Sequence, residues 1–384
     1  MKKLSAHGHL ACIVGGCVRD MLLGVMPNDW DIATSALPEE VLSLYPDSLT
    51  MGLKHGTVTV KEGKNLVEVT TFRMDGNYAD HRHPDDVSFV GDLTTDLSRR
   101  DFTINAMAVT HDGTIVDPFG GRDDLSKKII RAVGEPDRRF EEDALRMFRA
   151  FRFSSRLNFA IDDETYRAIE RNAQLSSSLA SERVRDEVEK TLMTDHPEYL
   201  YDLIDCGLMD KYLSSKLSRS DALKLIASMN KKTTERWTAF CYVLLCDGCI
   251  SSPRDFLAQL RLDGRTVHCC ENACELLKSA PPATSVEWKQ LLRRFGVSSV
   301  ECASACMDSF YAEGHSAFLK KVLRSGECFS VKHLAVNGND LASLGLKGLE
   351  IGNMLDFLLD YVIEFPENNK KDLLMSLASS QTED

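Results

Sequence analysis

The sequence predicts an α+β head over residues 1–136 followed by an all-α remainder. Three observations carry that division. GTVTVKEGKNLVEVTTF (56–72) is two β-rich runs joined at Lys61-Glu62-Gly63-Lys64, the pattern of a hairpin. From about residue 137 onward, apolar residues recur with the helical period, as in EEDALRMFRAFRF, DETYRAIERNAQL, SERVRDEVEKTLM and NMLDFLLDYVIEF, and strand signals almost vanish. At 384 residues the chain is too long for one ordinary core, and no fixed-period repeat or low-complexity tract explains the length.

Composition narrows the class. With 43% hydrophobic and 27% charged residues the chain reads as globular. Its longest apolar run, AFCYVLLC (239–246), is far short of a membrane span. The apolar stretch after Lys2 and Lys3, Leu10 to Val14, is too short for a signal peptide, so a cytoplasmic location is expected. The twelve cysteines are then expected as reduced thiols. Cys246 and Cys249 form a CxxC, followed by His268, Cys269, Cys270 and Cys274, but both groups sit in helix-like apolar surroundings where cysteine serves as a small core residue. A net charge of −12 argues weakly against a nucleic-acid binder. Residues 138–156 run the other way, with six arginines against three acids.

Taken in order, the head opens with IVGGCVRDMLLG (13–24), which reads as a short strand, a glycine pair and a helix start. Gly15 and Gly16 allow a sharp turn and close backbone approach to a ligand, and Arg19 adds a full positive charge beside it. NDWDIATSA (28–36) follows. If it is a strand end, Asp29 and Asp31 project to one face, roughly 6.5–7 Å apart, and Trp30 to the other. Two carboxylates on one face near a phosphate suit a pair of divalent ions. A second pair of strand-like runs, FTINAMAV (102–109) and GTIVDPF (113–119), flanks the turn His111-Asp112-Gly113.

The combination resembles the nucleotidyltransferase superfamily of DNA polymerase β, and within it the class II RNA-specific branch of bacterial CCA-adding enzymes and poly(A) polymerases. GGCVRD with DWDIAT resembles the first family motif, LSRRDFTINAMA (97–108) the second and DPFGGRDDL (117–125) the third. EDALRMFRAFRF (142–153) and SERVRDEVEK (181–190) resemble the fourth and fifth, and LAVNGNDLASLGLKG (334–348) the C-terminal region. The resemblance implies a polymerase-β-like head (1–136), neck helices that select the nucleotide (137–198), a helical body (199–275) and a helical tRNA-binding tail (276–384). It implies Asp29 and Asp31 as ligands of Mg²⁺, with Glu68 of LVEVTTF as third carboxylate. Gly16, Arg19 and Arg100 would meet the triphosphate, and Asp101 the ribose. The expected partners are tRNA, CTP and ATP.

Asp143, Arg146, Arg149 and Arg152 would step about 60° apart on one continuous helix, making Asp143 and Arg146 neighbours. Asp only accepts hydrogen bonds and Arg only donates them. Cytosine and adenine present an amino donor beside a ring-nitrogen acceptor, whereas uracil and guanine present the reverse. The pair therefore suits C and A, and leaves U and G unmet at a cost of about 1–3 kcal/mol per buried group. Arg149 and Arg152, with Arg156, form a stripe expected to face the nucleotide and the RNA end, while Ala144, Phe148 and Phe151 form the core stripe.

Within the family, MGLKHGTVTV (51–60) stands where poly(A) polymerases usually carry a GRRF-like signature, and the chain ends acidic in QTED. The polar segment 73–90 has the length of a complete flexible loop, unlike CC-only enzymes. Full CCA addition is favoured over A-only or CC-only addition. Cys17 occupies a variable motif position, and GLKGLE lacks a proline often seen there. The dipeptide His111-Asp112 lies in a turn with no accompanying histidine pattern, so HD-type phosphohydrolase activity is not expected. A small-molecule nucleotidyltransferase would lack EDALR and the helical body; a silent tRNA binder would have lost an acid of the DxD.

Overall fold

A computed structural model describes residues 1–63, 65–75, 87–311 and 314–382. The chain forms two compact units, Met1–Leu217 and Ser218–Asp384.

The first unit is built on a sheet of six strands: β1 (Ala11–Val14), β2 (Asp31–Thr34), β3 (Thr57–Glu62), β4 (Asn65–Thr71), β5 (Ala108–Thr110) and β6 (Ile115–Val116). Their order is β3-β4-β2-β1-β5-β6. Only β2 and β4 run parallel; the other neighbours are antiparallel. β1 is central because ACIV can be covered on both faces. Ala11 packs with Leu4, Val58 and Val69 on one side, while Cys12 and Val14 pack with Phe72 and Leu97 on the other. The expected hairpin at 56–72 is β3–β4, with Glu62 opposite Asn65. The second hairpin is shorter than its sequence suggests. Phe102, Ile104, Ala106 and Met107 are all fully buried, and the chain there makes a 3₁₀ turn, Thr103–Asn105, before β5 begins. Residues buried on every side do not need the alternation of a strand.

The segment 73–90, invoked above against CC-only addition, lies largely outside the described residues.

Helix α1 (Gly16–Leu22) follows β1, and the arginine-rich segment forms α2 (Pro136–Glu142) and α3 (Leu145–Leu157). Met147, Phe148, Ala150 and Phe151 of α3 are fully buried, and Asn158 closes the helix in the left-handed conformation. Beyond it, Ala160–Ile161 pairs in parallel with Ile129–Ile130, a strand contact inside a region expected to be wholly helical. It ties the segment after α3 to the segment before α2. Helix α4 (Ser181–Leu192) packs on α3.

The second unit is helical throughout its described residues. Its centre is α5 (Thr233–Cys246), α6 (Gly264–Leu277) and α7 (Val297–Phe310). Trp237, Phe240 and Phe256 meet there with ring centroids 6.1–6.4 Å apart, an aromatic cluster that supplies large buried area. Cys241, Cys249, Cys269, Cys270, Cys274, Cys302 and Cys306 are buried in this unit as free thiols, and Cys246 is exposed. A separate core joins Leu349–Glu364 and Lys371–Thr382 through Leu358, Val362, Ile363, Leu374 and Ala378. Among the described residues no helix is long and apolar enough to cross a membrane.

Candidate active site

The first unit contains a cavity of about 430 Å³ lined by residues from five separated stretches. Gly15, Gly16 and Arg19 come from the β1–α1 turn, Asp31 from β2, and Arg100, Asp101 and Asn105 from the segment before β5. Asp143, Arg146, Arg149 and Arg152 come from the α2–α3 segment and Arg183 from α4. Its charged lining is seven arginines (19, 100, 146, 149, 152, 156, 183) against three aspartates (31, 101, 143), an excess of four positive charges. Such a surface attracts a polyanion of the charge of a nucleoside triphosphate.

The acidic end is set by sheet register. Asp31 is the first residue of β2 and lies directly opposite Glu68 in the parallel β2–β4 ladder. Paired residues share a face, and the neighbours Ile32, Val67 and Val69 pack into the core on the other side. Asp29 precedes the strand, in a bend, so the strand alternation expected for DxD starts only at Asp31. Asp29 is nonetheless close enough for its charge to act on Asp31. Burial raises the pKa of Asp31, the Arg100 guanidinium opposes the rise, and the Asp29 carboxylate adds to it. Asp29 and Glu68 are exposed and are not among the cavity-lining residues. Among the described residues, no group of three or more His, Cys, Asp or Glu side chains already stands in metal-holding geometry. The donor set itself fits a divalent cation: hard oxygen ligands, mutual repulsion between Asp29 and Asp31, and burial that disfavours bare negative charge.

The glycine pair is not symmetrical. Gly15 has φ +81°, and a Cβ there would lie 2.7 Å from Arg100 Nη1 and 3.9 Å from Asp31 Oδ2. A side chain at Gly15 is strained by the backbone conformation and would also displace the Arg100 guanidinium from its place beside Asp31. At Gly16 the nearest atom, Arg19 Nη2, would be 3.4 Å away, so the stricter requirement falls on Gly15. Arg19 is 2% exposed. It donates to Asp20 from Nε (2.9 Å) and Nη2 (2.7 Å), and to Asn105 Oδ1 from Nη1 (2.6 Å). Arg100 is bound more loosely: its Nη2 reaches Asp96 at 3.5 Å, and its buried Nε has no hydrogen-bond partner. A buried donor without a partner costs free energy that an anion placed beside it would recover.

Asp101 is fixed from three directions. Its Oδ1 accepts from the Phe102 N–H (2.8 Å) and Asn105 Nδ2 (3.0 Å), and its Oδ2 from Arg149 Nε (2.8 Å). Burial alone would raise its pKa, but Arg149 and Asn105 outweigh burial and bring it down to about 2.

The arginine segment departs from one expectation. Asp143 is not on the same helix as Arg146. It ends α2 in extended conformation (φ −145°, ψ 101°), and α3 starts at Leu145. At the break Asp143 Oδ1 accepts from the Leu145 N–H at 3.1 Å, capping the new helix, and contacts from distant stretches hold both sides of it. Nor do Asp143 and Arg146 pair through their side chains. Arg146 donates to Glu142 Oε2 (2.8 Å) and to the carbonyls of Arg139 (3.0 Å) and Arg99 (2.9 Å). Asp143 instead holds Arg183 Nη2 at 3.0 Å. Both Asp143 and Arg146 still line the cavity, as two separately anchored groups. Arg152 lies 2.8 Å from Glu187; burial and then Arg149 bring its pKa down to about 10. The Phe153 ring stands within 4.3–5.4 Å of the guanidiniums of Arg19, Arg149 and Arg152.

Sequence reasoning gathered most of this lining, but it passed over Arg183, Asn105 and Phe153 as site residues. Arg183 lies in the fifth motif, forty residues from Asp143, and nothing local connects the two.

Residues 11–131 match the family of the poly A polymerase head domain, and residues 158–215 match one described as a probable RNA- and SrmB-binding site of polymerase A. A CCA-adding enzyme of Geobacillus sp. (strain WCH70) is 39% identical over 350 residues, 89% of this chain and 85% of that one. A CCA-adding enzyme of Geobacillus kaustophilus (strain HTA426) is 38% identical over 383 residues, 97% and 93% of the two chains. The crystal structure of the Bacillus stearothermophilus CCA-adding enzyme in complex with CTP has the same fold, with a TM-score of 0.85 and 34% identity, covering 100% of this chain and 96% of that one. The chain belongs to the family of the CCA-adding enzymes.

Proposed function

We propose that the cavity between β2 and α3 adds C, C and A from CTP and ATP to the 3′ end of tRNA without a nucleic-acid template, releasing pyrophosphate at each step. The observation that carries this reading is the cavity's polarity: Asp31 at the sheet end, opposite Glu68 in the ladder, Arg100 beside it with an unpartnered buried Nε, and an aspartate and an arginine anchored separately at the helix end. The terminal ribose 3′-hydroxyl attacks the α-phosphorus, and the P–O bond to the pyrophosphate leaving group breaks.

Asp29, Asp31 and Glu68 would hold Mg²⁺, which supplies Lewis-acid stabilisation of the attacking and leaving oxygens when bound. Arg100 and Arg19, beside Gly15 and Gly16, meet the negative charge of the triphosphate, and Asp101 receives the ribose hydroxyls. Asp143 accepts from the amino group of cytosine or adenine, and Arg146 donates to the ring nitrogen. Three of Arg146's five N–H groups are engaged by protein, which leaves two for a base. Arg149 and Arg152 hold Asp101 and Glu187 and complete the cationic wall. In this reading residues 1–136 perform transfer, 137–198 select the base, and the body (199–275) and tail (276–384) hold the acceptor arm, in the cytoplasm.

The test is a gel assay on three acceptors, ending before CCA, after C and after CC, each with Mg²⁺ and CTP, ATP or both, and with UTP and GTP as controls. Extension of all three to a finished CCA end and no further is expected. Extension of only some would make it a partial enzyme, and a long A ladder a poly(A) polymerase.

A further inference from the structure

The second unit holds a side-chain cluster that nucleotide transfer leaves unused. Cys269 on α6 and Cys302 on α7 face each other with their sulfurs 3.5 Å apart. Both line a cavity of about 300 Å³ among the first turns of α5, α6 and α7, where Lys232, Arg265 and Glu301 also contribute. Their neighbours Cys270, Cys274 and Cys306 are sealed in the core, at 0–1% exposure.

Thiol chemistry sets Cys269 apart, because the hydrogen bond between the pair and then burial raise its partner Cys302 strongly and keep the proton there. The hydrogen bond to Cys302 holds the Cys269 thiol below its ordinary range in spite of burial, with Ser299 assisting. Burial pushes Cys270 up to about 12 and raises Cys241, Cys274 and Cys306 strongly. The thiolate is the reactive form, and a second thiol within reach resolves the first oxidation product.

We propose that Cys269 and Cys302 form a peroxide-oxidisable pair that closes to a reversible disulfide between α6 and α7. The Cys269 thiolate attacks one oxygen of a hydroperoxide, and the O–O bond breaks. With one proton taken up, the products are a sulfenic acid and water (or the corresponding alcohol). The Cys302 sulfur then attacks the Cys269 sulfur, the S–O bond breaks and a second water leaves. In sum two thiols and one hydrogen peroxide give one disulfide and two waters, with two electrons passing from sulfur to oxygen. A dithiol reductant reverses the step by exchange.

The intact reduced protein is treated with hydrogen peroxide, quenched, denatured, alkylated and digested without reductant. The expected product is a peptide bridged from Cys269 to Cys302, with fragmentation assigning the bond to Cys269 rather than Cys270. Dithiothreitol should abolish it, and loss of alkylatable thiol at the pair should be more than about tenfold faster than at Cys270 or Cys274. In Cys302→Ser, Cys269 should instead be captured by dimedone as the sulfenic acid. Full alkylation of Cys269 and Cys302 in the wild-type protein, while exposed Cys246 oxidises, would overturn the proposal whether or not the variant folds. So would a bridge from Cys269 to any other cysteine.

Discussion

The two charged walls of the cavity are wired differently. Along α3 every arginine that faces the site has a carboxylate partner: Arg146 has Glu142, Arg149 has Asp101, Arg152 has Glu187, and Arg156 shares Asp20 with Arg19. On the sheet, the side chains of Asp29, Asp31 and Glu68 make no hydrogen bond or ion pair among the described residues. A buried charge with an internal partner holds shape, because removing either member strands the other in low dielectric. Asp31, partly buried and without such a partner, costs stability in the resting protein that an arriving positive charge would relieve, while Asp29 and Glu68 stand exposed at the rim. The arginine wall is therefore mostly scaffold, and in the function proposed above the acidic wall carries the chemistry.

If that contrast holds, the largest effect on turnover belongs to the sheet. Asp31→Asn is expected to lower nucleotide incorporation by on the order of 10³-fold, the several kcal/mol that charge stabilisation by a bound cation provides. Thermal stability should be unchanged or slightly higher, since a partly buried, unpaired carboxylate is removed. Binding of tRNA, followed by gel shift, should persist. Near-normal incorporation by this variant would refute the assignment of the acidic wall.

Next comes base choice. Asp143→Ala is expected to reduce the preference for CTP and ATP over UTP and GTP by about 5- to 150-fold, the equivalent of 1–3 kcal/mol for an unmet buried group. Competition assays on an acceptor ending before CCA measure this directly. An unchanged preference would leave Asp143 as a helix cap alone.

How much of this could be read from residues depends on how local the cause is. The Gly15-Gly16 turn and the β3–β4 hairpin depend on a few consecutive residues, and each is legible; of the DxD pair only Asp31 stands on the strand, and Asp29 lies in the bend before it. Glu68 is legible too, since alternation sets it opposite to Val67 and Val69. The break at Asp143 is not legible. The segment from Glu142 to Phe153 reads as one helix, and what interrupts it is the aspartate's own cap on Leu145, with Arg183 and the Arg99 carbonyl gripping from distant stretches. The 3₁₀ turn at Thr103–Asn105 is hidden for a similar reason: FTINAMAV has strand composition, and only burial on all sides cancels the pattern.

Stability sharpens the scaffold side of the comparison. Asp101 in the folded protein titrates near 2, below its ordinary value of 3.8. A depressed carboxylate contributes stability that is present above the unfolded pKa, near 4, and is lost as the pH falls from there toward 2. The shift corresponds to about 2 kcal/mol at neutral pH. Asp101→Asn should therefore lower unfolding stability at pH 7 by about that amount and flatten the acid limb between pH 4 and 2, measured by urea titration across pH. Equal losses at pH 7 and at pH 2 would mean that packing, not charge, is what Asp101 provides.

The smallest effect lies where the two walls' logics meet. Arg183 is a scaffold arginine whose partner, Asp143, is proposed to read the base. Its ion pair is about one-fifth exposed, at 22% and 18% of the two side chains, and Asp143 keeps another partner, so its contribution should be on the order of 1 kcal/mol. Arg183→Met keeps the side chain's bulk and removes its charge. It should leave the rate with CTP nearly intact and reduce discrimination against UTP by no more than about fivefold, with stability almost unaffected. Asp143 has a second anchor in the Leu145 N–H, which is why the loss should be partial. If discrimination does not move at all, the cap alone orients Asp143, and Arg183 is freed to act on the nucleotide itself. A lower affinity for CTP in Arg183→Met would then follow, and the same competition assay run over CTP concentration separates the two.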